Sequence, residues 1–342
     1  MRICIPVDYG YKADVTSLNV IVKNLFLELG KIMNKRRSFT IAATLLENTR
    51  MGDINQRFDC VNVPNIGGFR FPPESVLSSN NLFIGLVGID EVVLGEKAYR
   101  RNTEWKINRP IIEKELKKWK DEVEKIKLIH VSTSSEKEQM IEYLKIPEEK
   151  IVVIPLGVDH EKFKPATDKI KIRKKILSKY FLKDRPYFLH VSERNWARKN
   201  VFRMFEAFKK ARSYGVTHEL IVVGKNDPIV NEKAHEVSGI IVLGYVDEKD
   251  LIELMQGADV LLMPSLHEGF GLPIVEAMAC QVPVITSNVF SQPEVVKDGG
   301  LFVDPYNTND IYEKILEIGN NEKLRTSLAD NAFKRSNDFS WT

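Results

Sequence analysis

The sequence predicts an α/β protein built from two doubly wound domains. Three observations carry this. Short apolar runs of Val, Ile, Leu and Phe recur along the 342 residues. They are too continuously apolar for strands with one wet face, so they read as buried parallel strands. Amphipathic helical stretches separate them, the pattern of a parallel sheet covered on both faces. The alternation comes in two sets, divided by the Gly- and Pro-punctuated segment IPLGVDHEKFKP at 154–165. Domains are therefore expected at 1–163 and 164–342.

In the first set the strands are expected at 2–7, 39–45, 58–63, 82–87, 127–131 and 151–154. Residues 17–35 keep Leu18, Ile21, Leu25, Leu29 and Ile32 on one helical face. Residues 110–125, opened by Pro110, and 134–145 follow the same spacing. In the second set the strands are expected at 187–191, 219–223, 240–243, 260–263, 282–286 and 301–303. Helices are expected at 201–212, 248–256, 273–279 and 309–319, with Asn200 and Asp247 as N-caps. In such sheets a ligand sits at the carboxyl ends of the strands, here in a crevice between the two domains.

Composition excludes several classes. Apolar residues make up 43% and charged residues 28%, the balance of an ordinary soluble protein and too apolar for a disordered one. No apolar run reaches the ~18 residues of a membrane span. The opening MRICIPVDYG reads as a strand, not as a secretory signal. Cys4, Cys60 and Cys280 form no close-spaced pair, which fits a reducing, cytoplasmic setting and excludes a disulfide scaffold. There is no C-x-x-C, no H-E-x-x-H and no tight acidic cluster, so no metal site is expected. The charge of +3, from 50 basic and 47 acidic residues, does not point to nucleic acid. It is uneven, however: residues 169–185 hold eight basic residues against Asp184 alone, and 97–127 is a milder basic stretch. Such runs read first as solvated helix faces. The sharper reading is a patch for an anionic membrane surface or substrate.

The chemistry concentrates in PSLHEGFGLPIVEAMAC, residues 264–280, which follows the strand VLLM and opens a helix. Gly269 and Gly271 allow a sharp turn and close approach of a ligand to the backbone. Pro273 suits the first helical position. The helix N-terminus then offers free N–H groups and partial positive charge to a phosphate. Glu268 before the turn and Glu276 in the first helical turn cannot themselves bind phosphate. They suit the hydroxyls of a sugar or ribose. Taken singly, Glu276 could merely complement the helix dipole and Glu268 could be a solvated loop residue.

Glu268 and Glu276, with seven residues between them in EGFGLPIVE, resemble the glutamate pair of the retaining glycosyltransferases of family 4, which have the GT-B fold. RNWARKN at 194–200, LGYV at 243–246, GADVLLMPS at 257–265, VPVITSN at 282–288, PEVVKDGGLFVDP at 293–305 and VIPLGVD at 153–159 resemble further segments of that family. The resemblance covers most of 151–305 and is weaker in the first half. It implies two Rossmann-like domains facing each other across a cleft. It implies transfer of a sugar from a nucleotide diphosphate donor (UDP-, GDP- or ADP-sugar) to an acceptor hydroxyl with retained configuration, without a metal or other cofactor. By that resemblance Arg194 and Lys199 bind the diphosphate, Glu268 the donor sugar and Glu276 the ribose. Tyr245 and Val246 hold the base through backbone, and the N–H groups of Phe270, Gly271 and Leu272 reach the diphosphate or sugar. A glycan or lipid-linked acceptor and peripheral membrane contact at the cytoplasmic face follow as expectations.

The first domain departs from the family. VGIDEVVLG at 87–95 matches the place of a His-Asp pair; Asp90 matches the Asp, but Ile89 stands where His is expected. The Gly-rich loop after the first strand is reduced to Gly10, which with Tyr9 ends the strand toward the crevice. Gln281 stands where the family has Gly. The chain closes on FSWT where a helix usually crosses back onto the first domain, implying truncation or an unusual closing contact. His130 and His190 lie in expected strands and read as core or crevice lining, and His267 adjoins Glu268. The departures keep a second reading open: a non-catalytic GT-B partner or nucleotide-sugar-binding subunit. A same-fold enzyme such as a nucleotide-sugar epimerase fits EGFGLPIVE poorly.

Overall fold

The computed structural model describes residues 2–7, 40–45, 60–63, 82–85, 89–99, 102–192 and 196–341. The chain divides into two compact units, one of residues 1–96, 101–156 and 341–342, the other of 97–100 and 157–340.

In the first unit, β1 (Arg2–Val7), β2 (Thr40–Leu45), β3 (Cys60–Val63), β4 (Leu82–Gly85), β5 (Leu128–Val131) and β6 (Ile151–Val153) form one sheet in the order β2-β1-β3-β4-β5-β6. All its pairings are parallel. The described helices are α1 (Asp90–Leu94), α2 (Asn102–Glu122) and α3 (Ser134–Leu144). Ile84, Ile112, Trp119, Ile129 and Met140 make the buried core, and Ile89 is part of it. The helix expected to start at Pro110 begins at Asn102, with Pro110 inside it. Pro110 is exposed there, so water can serve the carbonyl that lacks a donor. The Thr133 hydroxyl caps α3 by accepting from the Glu136 N–H, and the buried Glu136 carboxylate accepts from the Ser132 N–H at 2.8 Å. The predicted helix at 17–35 lies outside the described residues.

The second unit contains α4 (Lys169–Lys179), β7 (Tyr187–Ser192), α5 (Val201–Ser213), β8 (Glu219–Gly224), α6 (Pro228–His235), β9 (Ile240–Gly244) and α7 (Glu248–Gly257). There follow β10 (Val260–Met263), α8 (Leu272–Ala279), β11 (Val284–Ser287), α9 (Ser291–Val296), β12 (Gly300–Val303), α10 (Thr308–Gly319) and α11 (Glu322–Ser336). The sheet order is β12-β11-β10-β7-β8-β9, again all parallel. Chain direction across the sheet reverses between β7 and β10, the arrangement of a dinucleotide-type fold. Phe188, Trp196, Phe205, Phe208, Ile285 and Ile315 fill the core. Each such side chain contributes about 1.5–3 kcal/mol on burial.

Three helices of this unit, α6, α9 and α11, are additions to the predicted elements. The segment EKLRTSLADNAFKRS of α11 turns only Leu328, Ala332 and Ser336 fully inward, too few apolar positions to mark a core helix. Asn200 does precede α5 but does not cap it: its backbone is left-handed, and its amide donates to the Pro264 and Pro305 carbonyls. Asp247 caps α7 as expected, accepting from the Asp250 N–H.

The basic run of α4 is largely ion-paired. Lys175 meets Glu253 at 2.5 Å and Lys179 meets Asp250 at 2.6 Å, both acids carried by α7. Lys169 and Arg173 face Asp259, Lys174 faces Asp184 and Arg185 faces Glu219. A run that reads as uncompensated charge is thus balanced by acids far away in sequence. Among the described residues no helix is long and apolar enough to cross a membrane.

Candidate functional site

The site of the second unit forms where β7 and β10 lie side by side, Val260 opposite Phe188 and Leu261 opposite Leu189. At that reversal the loops leaving the two strands diverge, opening space at their carboxyl ends. Arg198, Lys199 and Asn200 come from the loop after β7. Glu268 comes from the loop after β10, and Glu276 from α8, which that loop opens.

The loop carrying Glu268 is held by side chains on both sides. Asn200 Nδ2 donates to the Pro264 carbonyl at 3.0 Å, and Ser287 Oγ to that of Ser265 at 2.7 Å. Arg198 Nη1 donates to the His267 carbonyl at 2.8 Å, and Ser291 Oγ to that of Glu268 at 2.7 Å. Four carbonyls are thus taken by protein donors from the loop after β7, the end of β11 and the start of α9, which fixes the backbone that presents Glu268. Ser287 and Ser291 are fully buried; Gln292 Nε2 also donates to the Ser265 carbonyl, at 3.3 Å, whereas losing the Ser291 hydroxyl would orphan that of Glu268.

Glu268 is buried and bound by two cations. Lys199 Nζ donates to its Oε1 at 2.6 Å and Arg198 Nη1 to its Oε2 at 3.1 Å. Burial alone would raise the carboxyl pKa, but the charges of Lys199 and Arg198 and the Lys199 hydrogen bond outweigh it and hold the group at about 2. Glu276 behaves in the opposite way. It is half-buried, and desolvation, aided by the Glu248 carboxylate and opposed by Lys162, pushes it up to about 7. It sits in the second turn of α8, not the first, because the helix starts at Leu272 and places Pro273 in its first two positions. A carboxylate so far from the N-terminus gains little from the dipole.

Gly271 caps α8 in a left-handed conformation, φ 89°. A Cβ there would stand 2.9 Å from Ile274 Cδ1, so this position takes only glycine without strain. The N–H groups of Phe270, Gly271 and Leu272 find no acceptor among the described residues and remain available at the helix tip. The Phe270 ring is buried edge-on against Phe339 at 5.4 Å, so only its backbone could serve a ligand. Tyr245 is 66% exposed and Val246 is buried, both just before α7, whose first residue is the Glu248 that acts on Glu276.

The structure therefore joins Lys199 to Glu268, and links Glu276 electrostatically to the α7 start next to Tyr245 and Val246. Arg194 and Gly10, with Tyr9, lie outside the described residues. Asp90 opens α1 of the first unit. Its neighbour Ile89 is 1% exposed and packs into that unit's core, so it offers nothing to a ligand. His190 is fully buried, with Nδ1 2.8 Å from the Leu262 carbonyl on the adjoining strand, and burial lowers its pKa to about 4. It ties β7 to β10 as a neutral core residue. His267 is fully buried against the Phe290 ring at 4.7 Å. Two residues escaped sequence reasoning. Arg198 lies inside RNWARKN, but only the folded loop shows that its guanidinium grips Glu268. Ser291 carries no sequence signal at all, because its partner is 23 residues away.

Residues 172–335 match the family model Glycosyl transferases group 1. O-antigen chain mannosyltransferase B of Escherichia coli is 35% identical over 173 residues, 48% of this chain and 45% of that protein. The chain spans about half the length, or less, of the curated relatives it matches. Among solved structures, sucrose-phosphate synthase from Thermosynechococcus elongatus superposes with a TM-score of 0.73 at 18% identity, covering 99% of this chain and 95% of the other. Anabaena HepE, solved with UDP and glucose, gives 0.73 at 14% identity, covering 100% and 96%. At such identities the likeness is one of fold: a GT-B-type α/β architecture with two Rossmann-like units.

Proposed function

We propose that this protein is a retaining glycosyltransferase that moves a sugar from a nucleotide diphosphate donor to an acceptor hydroxyl. The observation that carries the reading is the opposed pair of carboxylates on one loop-and-helix segment at the sheet reversal: Glu268 ionised between Lys199 and Arg198, and Glu276 near half-protonation beside the α7 start. The match of residues 172–335 to the glycosyltransferase model and the E. coli mannosyltransferase relative support it.

The diphosphate lies at the α8 tip, with Lys199 and, by the family resemblance, Arg194 as counter-charges. As the bond from the sugar's anomeric carbon to the phosphate oxygen breaks, negative charge grows on the leaving diphosphate. Fixed cations and N–H dipoles stabilise it without reorganising. The acceptor oxygen bonds to the anomeric carbon from the same face, and its proton passes to the departing phosphate oxygen. Glu268, held at about 2, cannot serve as a proton donor at neutral pH. It accepts from the donor sugar's hydroxyls instead. Glu276, at about 7, can both accept from and donate to the ribose hydroxyls. Tyr245 and Val246 flank the base. The chemistry draws on side chains and a helix tip, with no metal or other cofactor in any step. A glycan or lipid carrier at the cytoplasmic face is the acceptor class in view.

The non-catalytic reading has one observation in its favour, Ile89 buried in the first unit where the family places a ligand-reaching His. One experiment separates the two: incubate the protein with UDP-, GDP- and ADP-sugars and acceptor pools, and measure binding and nucleoside diphosphate release. Release with one donor class supports transfer. Binding without hydrolysis or transfer supports the partner role, and failure to bind any donor defeats both.

A further inference from the structure

We infer that Asn226, on the loop after β8, is the side chain that reads the nucleotide base, so that the base end of the site is built from two loops. The inference rests on the nucleotide diphosphate reading above.

Strands β8 and β9 pair in regular parallel register from Leu220 opposite Ile240 to Val222 opposite Val242. The register then slips, and Val223 faces Gly244. The slip bulges β9 at Leu243, so Gly244 pairs with Val223, one residue earlier on β8 than the Gly224 that unbroken register would give it. Gly244 is left-handed, φ 76°. A Cβ on it would stand 2.7 Å from Asn226 Oδ1, 3.0 Å from Nδ2 and 3.1 Å from Cγ. Cγ is the farthest of the three, so it is the Oδ1 and Nδ2 end of the amide that packs, obliquely, against Gly244. Any side chain at that position would push it away.

Asn226 is itself exposed, and neither amide atom has a hydrogen-bond partner among the described residues. Its two donors and one acceptor thus lie at Gly244, the residue before Tyr245, with their bonding capacity unspent. Every nucleobase edge presents a donor next to an acceptor: N3–H and O4 of uracil, N1–H and O6 of guanine, N6–H and N1 of adenine. A carboxamide answers each such pair with one hydrogen bond of each sense. The backbone at 245–246 cannot turn to do this, but an exposed amide can. Asn226 therefore contributes affinity for the base without touching ribose or diphosphate.

The test is calorimetric titration of the full chain and of Asn226→Ala with UDP, GDP, ADP and inorganic pyrophosphate. The wild type is expected to bind at least one nucleoside diphosphate. Asn226→Ala should bind that nucleotide on the order of tenfold more weakly, as two neutral hydrogen bonds require, and pyrophosphate equally well. Asn226→Asp, which offers acceptors only, should weaken UDP more than GDP, because guanine adds an N2–H donor beside N1–H. Equal nucleotide affinity in wild type and Asn226→Ala overturns the inference, as does parallel loss of nucleotide and pyrophosphate. A wild type that binds pyrophosphate but no nucleoside diphosphate overturns the nucleotide reading itself.

Discussion

Glu276→Gln should stabilise the protein, and by an amount that grows with pH. The folded carboxyl titrates near 7 against a reference of 4.5. Below 4.5 it is protonated in both folded and unfolded chains and makes no difference. Between 4.5 and 7 the folded state keeps a proton that the unfolded state has lost, so raising the pH costs stability. Above 7 the full cost applies. A shift of 2.5 pH units (7 minus 4.5) corresponds to about 3.4 kcal/mol at 1.36 kcal/mol per unit. The side chain is only half-buried, and solvent screening reduces this to about 1–3 kcal/mol. Glutamine keeps the shape and never ionises, so the variant avoids the cost. Urea denaturation at pH 4.5, 6, 7 and 8.5 reads the difference directly. The variant should match the wild type at pH 4.5 and exceed it by 1–3 kcal/mol at pH 8.5, on the order just worked. A constant gap, or a variant less stable at pH 8.5, would refute the account of how Glu276 is desolvated.

Other expectations follow from the same geometry. Nucleoside diphosphate binding near pH 7 should release protons, because ribose hydroxyls donating to Glu276 favour its ionised form; calorimetry in buffers of different ionisation enthalpy counts them, and uptake would contradict the sign. Lys199→Met leaves Glu268 buried with Arg198 alone and should lower stability by roughly 3 kcal/mol at pH 7. Stability from the Glu268 pairing is fully present above 4.5 and fades as pH falls toward about 2. The penalty in the Lys199 variant should therefore shrink at pH 4, where the orphaned carboxyl takes up a proton, and a pH-independent loss in denaturation curves would count against this. Phe181 ends α4 in a left-handed conformation at φ 56°, with its ring 98% exposed. Its N–H donates to the Ser178 carbonyl and that of Leu182 to the Leu177 carbonyl, the helix-ending turn that glycine favours. Phe181→Gly should gain about 1 kcal/mol and raise Tm by a few degrees. No gain would refute the strain assigned to Phe181.

The linear chain carried the parts of this protein that depend on local chemistry. Runs such as VLLM at 260–263 are apolar on both faces, so their burial in a parallel sheet follows from composition alone. EGFGLPIVE combines a turn that needs Gly271, a helix start and two acids within one short segment, so the glycine turn that opens a helix between two acids was legible there. What emerged only on folding depends on partners distant in sequence. The strand order that sets β7 against β10 is a matter of packing, and it decides that Lys199 meets Glu268 across 69 residues. The opposite ionisation of Glu268 and Glu276 could not be read from two identical side chains; one gains two cations and the other gains burial beside Glu248. The basic run of α4 reads as open charge until α7 brings Asp250 and Glu253 against it. Electrostatic energy depends on distance and solvent access, and neither exists along an unfolded chain.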